Sequence, residues 1–279
     1  MGFIDKLNRL IELYLSTIRN AGKIGLWIPF FVYSVLQFLL LWLLTSYVNP
    51  SIYPVLSPPL GLAAGKQAPL FSHYPALFLM LPMIFQWGKL ILGVLFEGLA
   101  SGITALMFAT AFSKSNEINS PYKTSISRWP QLLIAWTCIT AFLLVVNWLL
   151  PDIFAGLLQS SPRRIVAFEI LMQLFTVLLY SIFVYAVPAI VVYDKGVWQA
   201  FAVSMRFFAR YPIFSFFLAF IPFLISVPTT YLSSKSSVIV DKFSPELVFY
   251  ILLIGIVADL LVNFFTTGAV VKFLVEEKE

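Results

Sequence analysis

The chain has 279 residues, of which 60% are hydrophobic and only 11% charged, with 28 Phe and a mean hydropathy of +0.92. A soluble domain carries roughly 25% charged residues, so lipid is the solvent this sequence is written for. The net charge of +5 does not imply nucleic acid, because the basic residues gather at the ends of apolar runs and form no stripe or tail. One cysteine, Cys138, and one histidine, His73, exclude an internal disulfide framework and argue against a Cys/His metal cluster.

Residues 1–22 read as an amphipathic helix. Phe3, Ile4, Leu7, Leu10, Ile11, Tyr14, Leu15 and Ile18 recur at three- and four-residue spacing, with Asp5, Lys6, Arg9, Glu12 and Arg19 between them. These charges also break any signal-peptide pattern. Such a helix lies in the headgroup plane or packs under a bundle, and both readings stand at this point.

Residues 23–279 predict an all-α membrane domain of six spans, because only a helix of about 20 apolar residues crosses roughly 30 Å of hydrocarbon with its backbone satisfied. The spans fall near 26–48, 88–112, 130–150, 165–192, 213–233 and 247–273. The apolar run from Ala76 to Phe112 is too long for one crossing. Pro75, Pro82 and Gly88 predict a separate surface or re-entrant helix over 75–87, with the true span starting near Gly88.

The outer connection 49–75 is proline-rich and predicts an irregular cover, in which His73 is an ordinary solvated histidine. Cys138, within an apolar run, reads as an inert packing residue. Twelve of the 18 Lys and Arg fall on the side that holds both termini and five on the other, with Lys89 at a span boundary. The excess puts both ends in the cytoplasm, in a multi-pass protein of the cell's inner membrane. Lys89 is expected to snorkel to the outer headgroups, since eight residues of helix separate it from Glu97 by about 12 Å.

The polar residues expected at membrane depth are Glu97 and Ser101 in the second span and Asp259 and Asn263 in the sixth, each pair on one helical face, with Gln173 of the fourth as a further member. Charge there is costly and usually marks a pathway. The functional reading is a proton or cation site lined by Glu97 and Asp259. The structural reading is a protonated carboxyl hydrogen-bonded across a helix contact. Gly93, Glu97, Ser101, Ala105 and Ala109, with the step Gly98–Gly102, form a small-residue face that invites close helix packing.

The segment 193–212 reads as a cytoplasmic elbow. Trp198, Phe201, Ala202, Met205 and Phe208 or Ala209 form an apolar stripe, and Arg206 and Arg210 are expected at inner-leaflet phosphates, with Gly196 ending the preceding helix. Around it, Pro188-x-x-Val191 followed by Gly196, Ala200 and Ser204 resembles the elbow of prokaryotic six-span membrane proteins, namely the membrane domain attached to some glycerophosphodiester phosphodiesterases and the YciC-like proteins. Asp194 after the valines departs from that pattern. The resemblance implies a fold and a membrane address but no hydrolysis, since the phosphodiesterase domain is not among these residues. No P-loop, HExxH, GxSxG or GxGxxG pattern occurs, so no enzyme and no cofactor is expected. The partners expected are membrane lipids, a second copy, or other membrane subunits.

Overall fold

A computed structural model of the chain describes residues 3–46, 49–54, 57–58, 61, 65, 74–113, 120–158 and 162–278, and no strand occurs among them. His73, Lys66, Lys114 and much of the outer connection 49–75 lie outside the described residues. The helices in chain order are α1 (Phe3–Asn20), α2 (Ile28–Thr45), α3 (Ala76–Leu92), α4 (Gly98–Ser113), α5 (Pro121–Ser127), α6 (Trp129–Leu158), α7 (Pro162–Phe183), α8 (Ala186–Val192), α9 (Val197–Arg210), α10 (Pro212–Phe223), α11 (Val227–Ser234), α12 (Ser236–Lys242) and α13 (Leu247–Lys278).

Among the described residues, five stretches are long and apolar enough to cross a membrane: 24–45, 76–113, 129–154, 166–192 and 247–277. A sixth is obtained if α9 and α10, which meet at 104°, are counted as one bent span. The protein is therefore a multi-pass helical membrane protein. The stretch expected to cross at 213–233 is two helices, α10 and α11, separated by residues 224–226. Pro222 and Pro228 flank this break; neither has an N–H to donate, to the carbonyls of Leu218 and Leu224 respectively, and each ring crowds the preceding turn.

The long run after Pro75 corrects a second expectation. No break falls between Pro82 and Gly88; α3 continues through a widened turn over Gly93–Glu97 directly into α4. At 38 residues this rod is about 57 Å long at 1.5 Å per residue, nearly twice the hydrocarbon thickness. Its second half is buried on all sides: Ala105, Phe108 and Leu106 are in the main apolar core with Phe30, Leu132, Ile190 and Phe264.

α13 is the central post, packing against α1, α2, α4, α10 and α11. α6 is the least covered of the long helices. It shows Ile134, Phe142, Val145 and Leu149 outward, as a lipid-facing helix does. Cys138 is on this outer surface and is not the packing residue expected, because the bundle takes only the opposite face, through Leu132, Ala135 and Ile139.

The N-terminal helix packs against the bundle, the second of the two expectations for it, and leaves an apolar stripe uncovered. Leu10, Leu13 and Thr17 are buried against the bundle, while Leu7, Ile11, Leu15 and Ile18 form an outward apolar stripe. The contact is close because position 268 of α13 is glycine: a Cβ there would stand 2.3 Å from Thr17 Cγ2 and 2.9 Å from Phe108 Cζ. Gly98 and Gly102 do the same for α4 against Leu132 of α6.

Two polar ties fix this end of the bundle. Tyr14 Oη donates to the Leu218 carbonyl at 2.8 Å, the acceptor that Pro222 leaves without its helical partner. Arg9 donates to Glu277 at 2.9 Å and to Glu276 at 3.4 Å, over the ring of Phe273 at 4.8 Å. Burial alone would lower the Arg9 guanidinium, but Glu277 and Glu276 outweigh it and hold it above its usual value. The two ends of the chain thus meet at one end of the bundle.

Gly268→Ala is expected to destabilise the protein by about 1–3 kcal/mol through overpacking. Adding Thr17→Ala removes the nearer clash and should restore part of the loss. Thermal unfolding of the single and double variants in detergent checks this, and equal losses in both would contradict it.

Candidate functional site

Asp259 and Asn263 lie one turn apart on α13, and the structure gives them different partners. Asp259 Oδ2 accepts from Lys89 Nζ of α3, an ion pair about three-quarters shielded on both sides. Asn263 Nδ2 donates to Glu97 Oε1 at 2.9 Å, and Tyr33 Oη of α2 donates to Glu97 Oε2 at 3.1 Å. Three side chains from three helices therefore hold two carboxylates. Lys89 does not snorkel as expected. In a water-poor layer a nearby carboxylate compensates the ammonium better than exposure of the long stem would, and the pair satisfies both charges at once.

The widened turn places Glu97. Its side chain points back over Gly93, where a Cβ would come within 3.0 Å of Glu97 Oε2 and 3.3 Å of Tyr33 Oη, so a side chain there would push the carboxylate and phenol aside by a few tenths of an ångström. The Leu95 carbonyl, inside the turn, accepts from Trp129 Nε1 at 3.0 Å, as a helix with a displaced hydrogen-bond ladder requires.

Two cavities approach the cluster from opposite sides. The larger, about 470 Å³, lies between α3 and α6; Lys89 and Glu97 line it together with Trp87, Trp136, Thr140, Asn147 and Trp148. The smaller, about 30 Å³, holds Asp259 and Lys89 with Thr229, Thr230 and Ser233. Glu97 and Asp259 thus line different cavities, and Lys89 borders both.

The remaining expected members do not join this group. Ser101 is buried one turn from Glu97, and Gln173 is half-buried on α7, but no hydrogen bond ties either to Glu97, Asn263, Lys89 or Asp259 among the described residues. Sequence reasoning missed Tyr33 and the role of Lys89. The signal for Tyr33 was its four-residue spacing from Gln37, a second buried polar residue in an otherwise apolar span.

The elbow forms a second polar region, at the end where the chain termini meet. α8 ends at Val192, and Asp194, with φ 57°, takes the left-handed backbone of the turn, ahead of the Gly196 expected to end the helix. Arg128, just before α6, pairs with Asp194 and donates to the Ile190 carbonyl at 2.9 Å, one of the acceptors a helix end leaves open. Gly196 leads into α9, whose Ala200 and Ser204 face the bundle, with Ser204 Oγ donating to the Ile182 carbonyl at 2.6 Å.

The predicted stripe of α9 is divided: Trp198 and Met205 are 75% and 55% exposed, while Phe201 packs inward against the ring of Phe183. Arg206 and Arg210 border a cavity of about 380 Å³ with Tyr193, Phe207 and Glu277. Arg210 is 70% exposed and stands 3.9 Å from Glu277. Burial first, then Glu277, pushes the Tyr193 phenol up to about 12. No metal-ligand cluster of three or more His, Cys, Asp or Glu occurs among the described residues.

No protein-family model matches the chain, and no curated protein or solved structure matches it significantly.

The Lys89–Asp259 pair makes a stability prediction. Lys89→Met alone or Asp259→Leu alone strands one charge and should cost about 3 kcal/mol or more, whereas the double variant should recover most of that. A double-mutant cycle by chemical unfolding in detergent measures it. Additive losses would mean that the two side chains are not coupled.

Proposed function

We propose that the chain is an inner-membrane protein that crosses six times with both ends in the cytoplasm and organises anionic lipid at that face, without catalysing a reaction. The observation that carries this reading is the gathering of two helices with outward apolar stripes, α1 and α9, at one end of the bundle beside the cavity bordered by Arg206 and Arg210. Apolar side chains at the acyl boundary with arginines at phosphate level are the pattern of an inner-leaflet contact.

Three further arguments support it. The ends of the chain meet through Arg9 and Glu277, and a chain whose ends share a face crosses an even number of times. Five stretches are long and apolar enough to cross; in this reading α9 lies at the surface, and α10 with α11, in place of α9 with α10, supplies the sixth crossing. The excess of Lys and Arg on the terminal side assigns that side to the cytoplasm. The resemblance of the elbow to those of six-span prokaryotic membrane proteins points the same way. Membrane lipids are the partners of this reading, and a second copy or another membrane subunit would meet the small-residue or outward apolar faces.

A second reading, a small transporter or channel component handling a proton or cation, is favoured by Lys89 bordering a cavity on each side of the polar cluster. Against it, the Asp259 carboxylate already holds an ammonium, which an incoming cation must displace.

In reconstituted vesicles, Arg206→Ala with Arg210→Ala is expected to weaken association with phosphatidylglycerol relative to phosphatidylcholine, by about 1 kcal/mol for each arginine removed, while the fold is kept. An unchanged lipid preference would overturn the lipid reading. The same vesicles test the alternative: a pH- or cation-gradient-driven flux lost in Asp259→Asn and Glu97→Gln would replace the first reading with the second.

A further inference from the structure

The cavity between α3 and α6 lies away from the arginine-lined end and combines three features that the lipid reading leaves unused. Its lining includes three indoles, Trp87, Trp136 and Trp148. Trp87 and Trp148 are exposed, with Trp148 at 69%, so they stand at the mouth of an opening on the outer surface of the bundle. Thr140, half-buried, and the exposed Gln86 and Asn147 add hydrogen-bonding groups to the lining.

The charge of this lining is the decisive feature. Lys89 is held by Asp259. Glu97 receives one neutral amide donor and one neutral hydroxyl donor, and forms no ion pair among the described residues. With Glu97 ionised, Glu97 and Asp259 give −2 and Lys89 gives +1, so among the described residues the cluster then carries one negative charge without a cation of its own, and a bound cation would favour that ionised form over the buried neutral acid. Each carboxylate oxygen has two acceptor positions, so the neutral donors do not exhaust Glu97. An indole face attracts a cation through its quadrupole, more strongly where water is excluded.

From this arrangement we infer that the α3–α6 cavity is a binding site for a lipophilic organic cation, with Glu97 as its counter-ion and Trp87, Trp136 and Trp148 as its aromatic walls. A compact hydrated metal ion gains little from indoles and lateral apolar walls. An anion meets an uncompensated carboxylate. A neutral amphiphile leaves that charge unmatched. A delocalised or quaternary cation on an apolar body satisfies both the charge and the walls, and the exposed mouth between Trp87 and Trp148 lets it enter from the lipid.

The test uses the full chain in phosphatidylcholine nanodiscs and equilibrium dialysis of tetraphenylphosphonium, with tetraphenylborate as the anion of the same shape and empty nanodiscs as the partition baseline. Saturable binding of the phosphonium above that baseline, with none for the borate, is expected. Glu97→Gln should weaken it roughly tenfold or more, as loss of one partner of a shielded charge pair does. Thr140→Trp fills the cavity and leaves Glu97 in place; it should abolish binding as well, and it stands in if Glu97→Gln does not fold. Phosphonium uptake equal to that of empty nanodiscs, equal saturable binding of the borate, or wild-type affinity in whichever of the two variants folds would each overturn the proposal.

Discussion

Hydrocarbon supplies no hydrogen bonds, so every polar group carried into it must find its partner within the protein. Three irregular features of this bundle are matched by side chains that meet that demand. Pro222, near the end of α10, leaves the Leu218 carbonyl without its helical donor; Tyr14 of the N-terminal helix supplies one. The widened turn at Gly93–Glu97 disturbs the ladder of a long rod, and Trp129 donates to the Leu95 carbonyl within it. The open end of α8 is met by Arg128. In each case a helix distant in sequence is drawn in by the defect it repairs, so the breaks become points of tertiary attachment.

The same demand applied to charge produces the mid-bundle cluster. A lone carboxylate on α13 would be expensive there, and Lys89 resolves it from α3. Glu97 is settled differently, by the Tyr33 hydroxyl and the Asn263 amide. One carboxylate is therefore compensated in charge and the other only in hydrogen bonding, although they stand on neighbouring helices. This asymmetry separates a tie that fastens α3 to α13 from a group still able to receive a cation.

The broad architecture was legible because it depends on local composition. The apolar runs, the amphipathic face of residues 3–19 and the elbow stripe all follow from spacing along a single helix. Glu97, Asp259 and Asn263 stood out as polar residues in apolar surroundings, and four-residue spacing put Asp259 and Asn263 on one face. The pairing between helices was not legible. Nothing in the sequence says that Lys89 reaches across to α13 or that Asn263 turns to Glu97, because those choices depend on how α3 and α13 cross. The position of the break in the second rod was also hidden: Pro82 and Gly88 looked like interruptions, yet the chain widens five residues later, where Gly93 makes space for the Glu97 carboxylate. Gly196 was expected to end the helix, which instead stops at Val192, with left-handed backbone at Asp194.

The account stands on an even number of crossings with the two chain ends on one face. Single cysteines at Arg19, Lys195, Ser51, Ser244 and Lys278, placed in a Cys138→Ser background and probed with a membrane-impermeant maleimide in sealed cells, measure this directly. Labelling from outside at 51 and 244, and only after the membrane is breached at 19, 195 and 278, is the result expected. Labelling that puts 19 and 278 on opposite faces would mean an odd number of crossings, and would contradict the account.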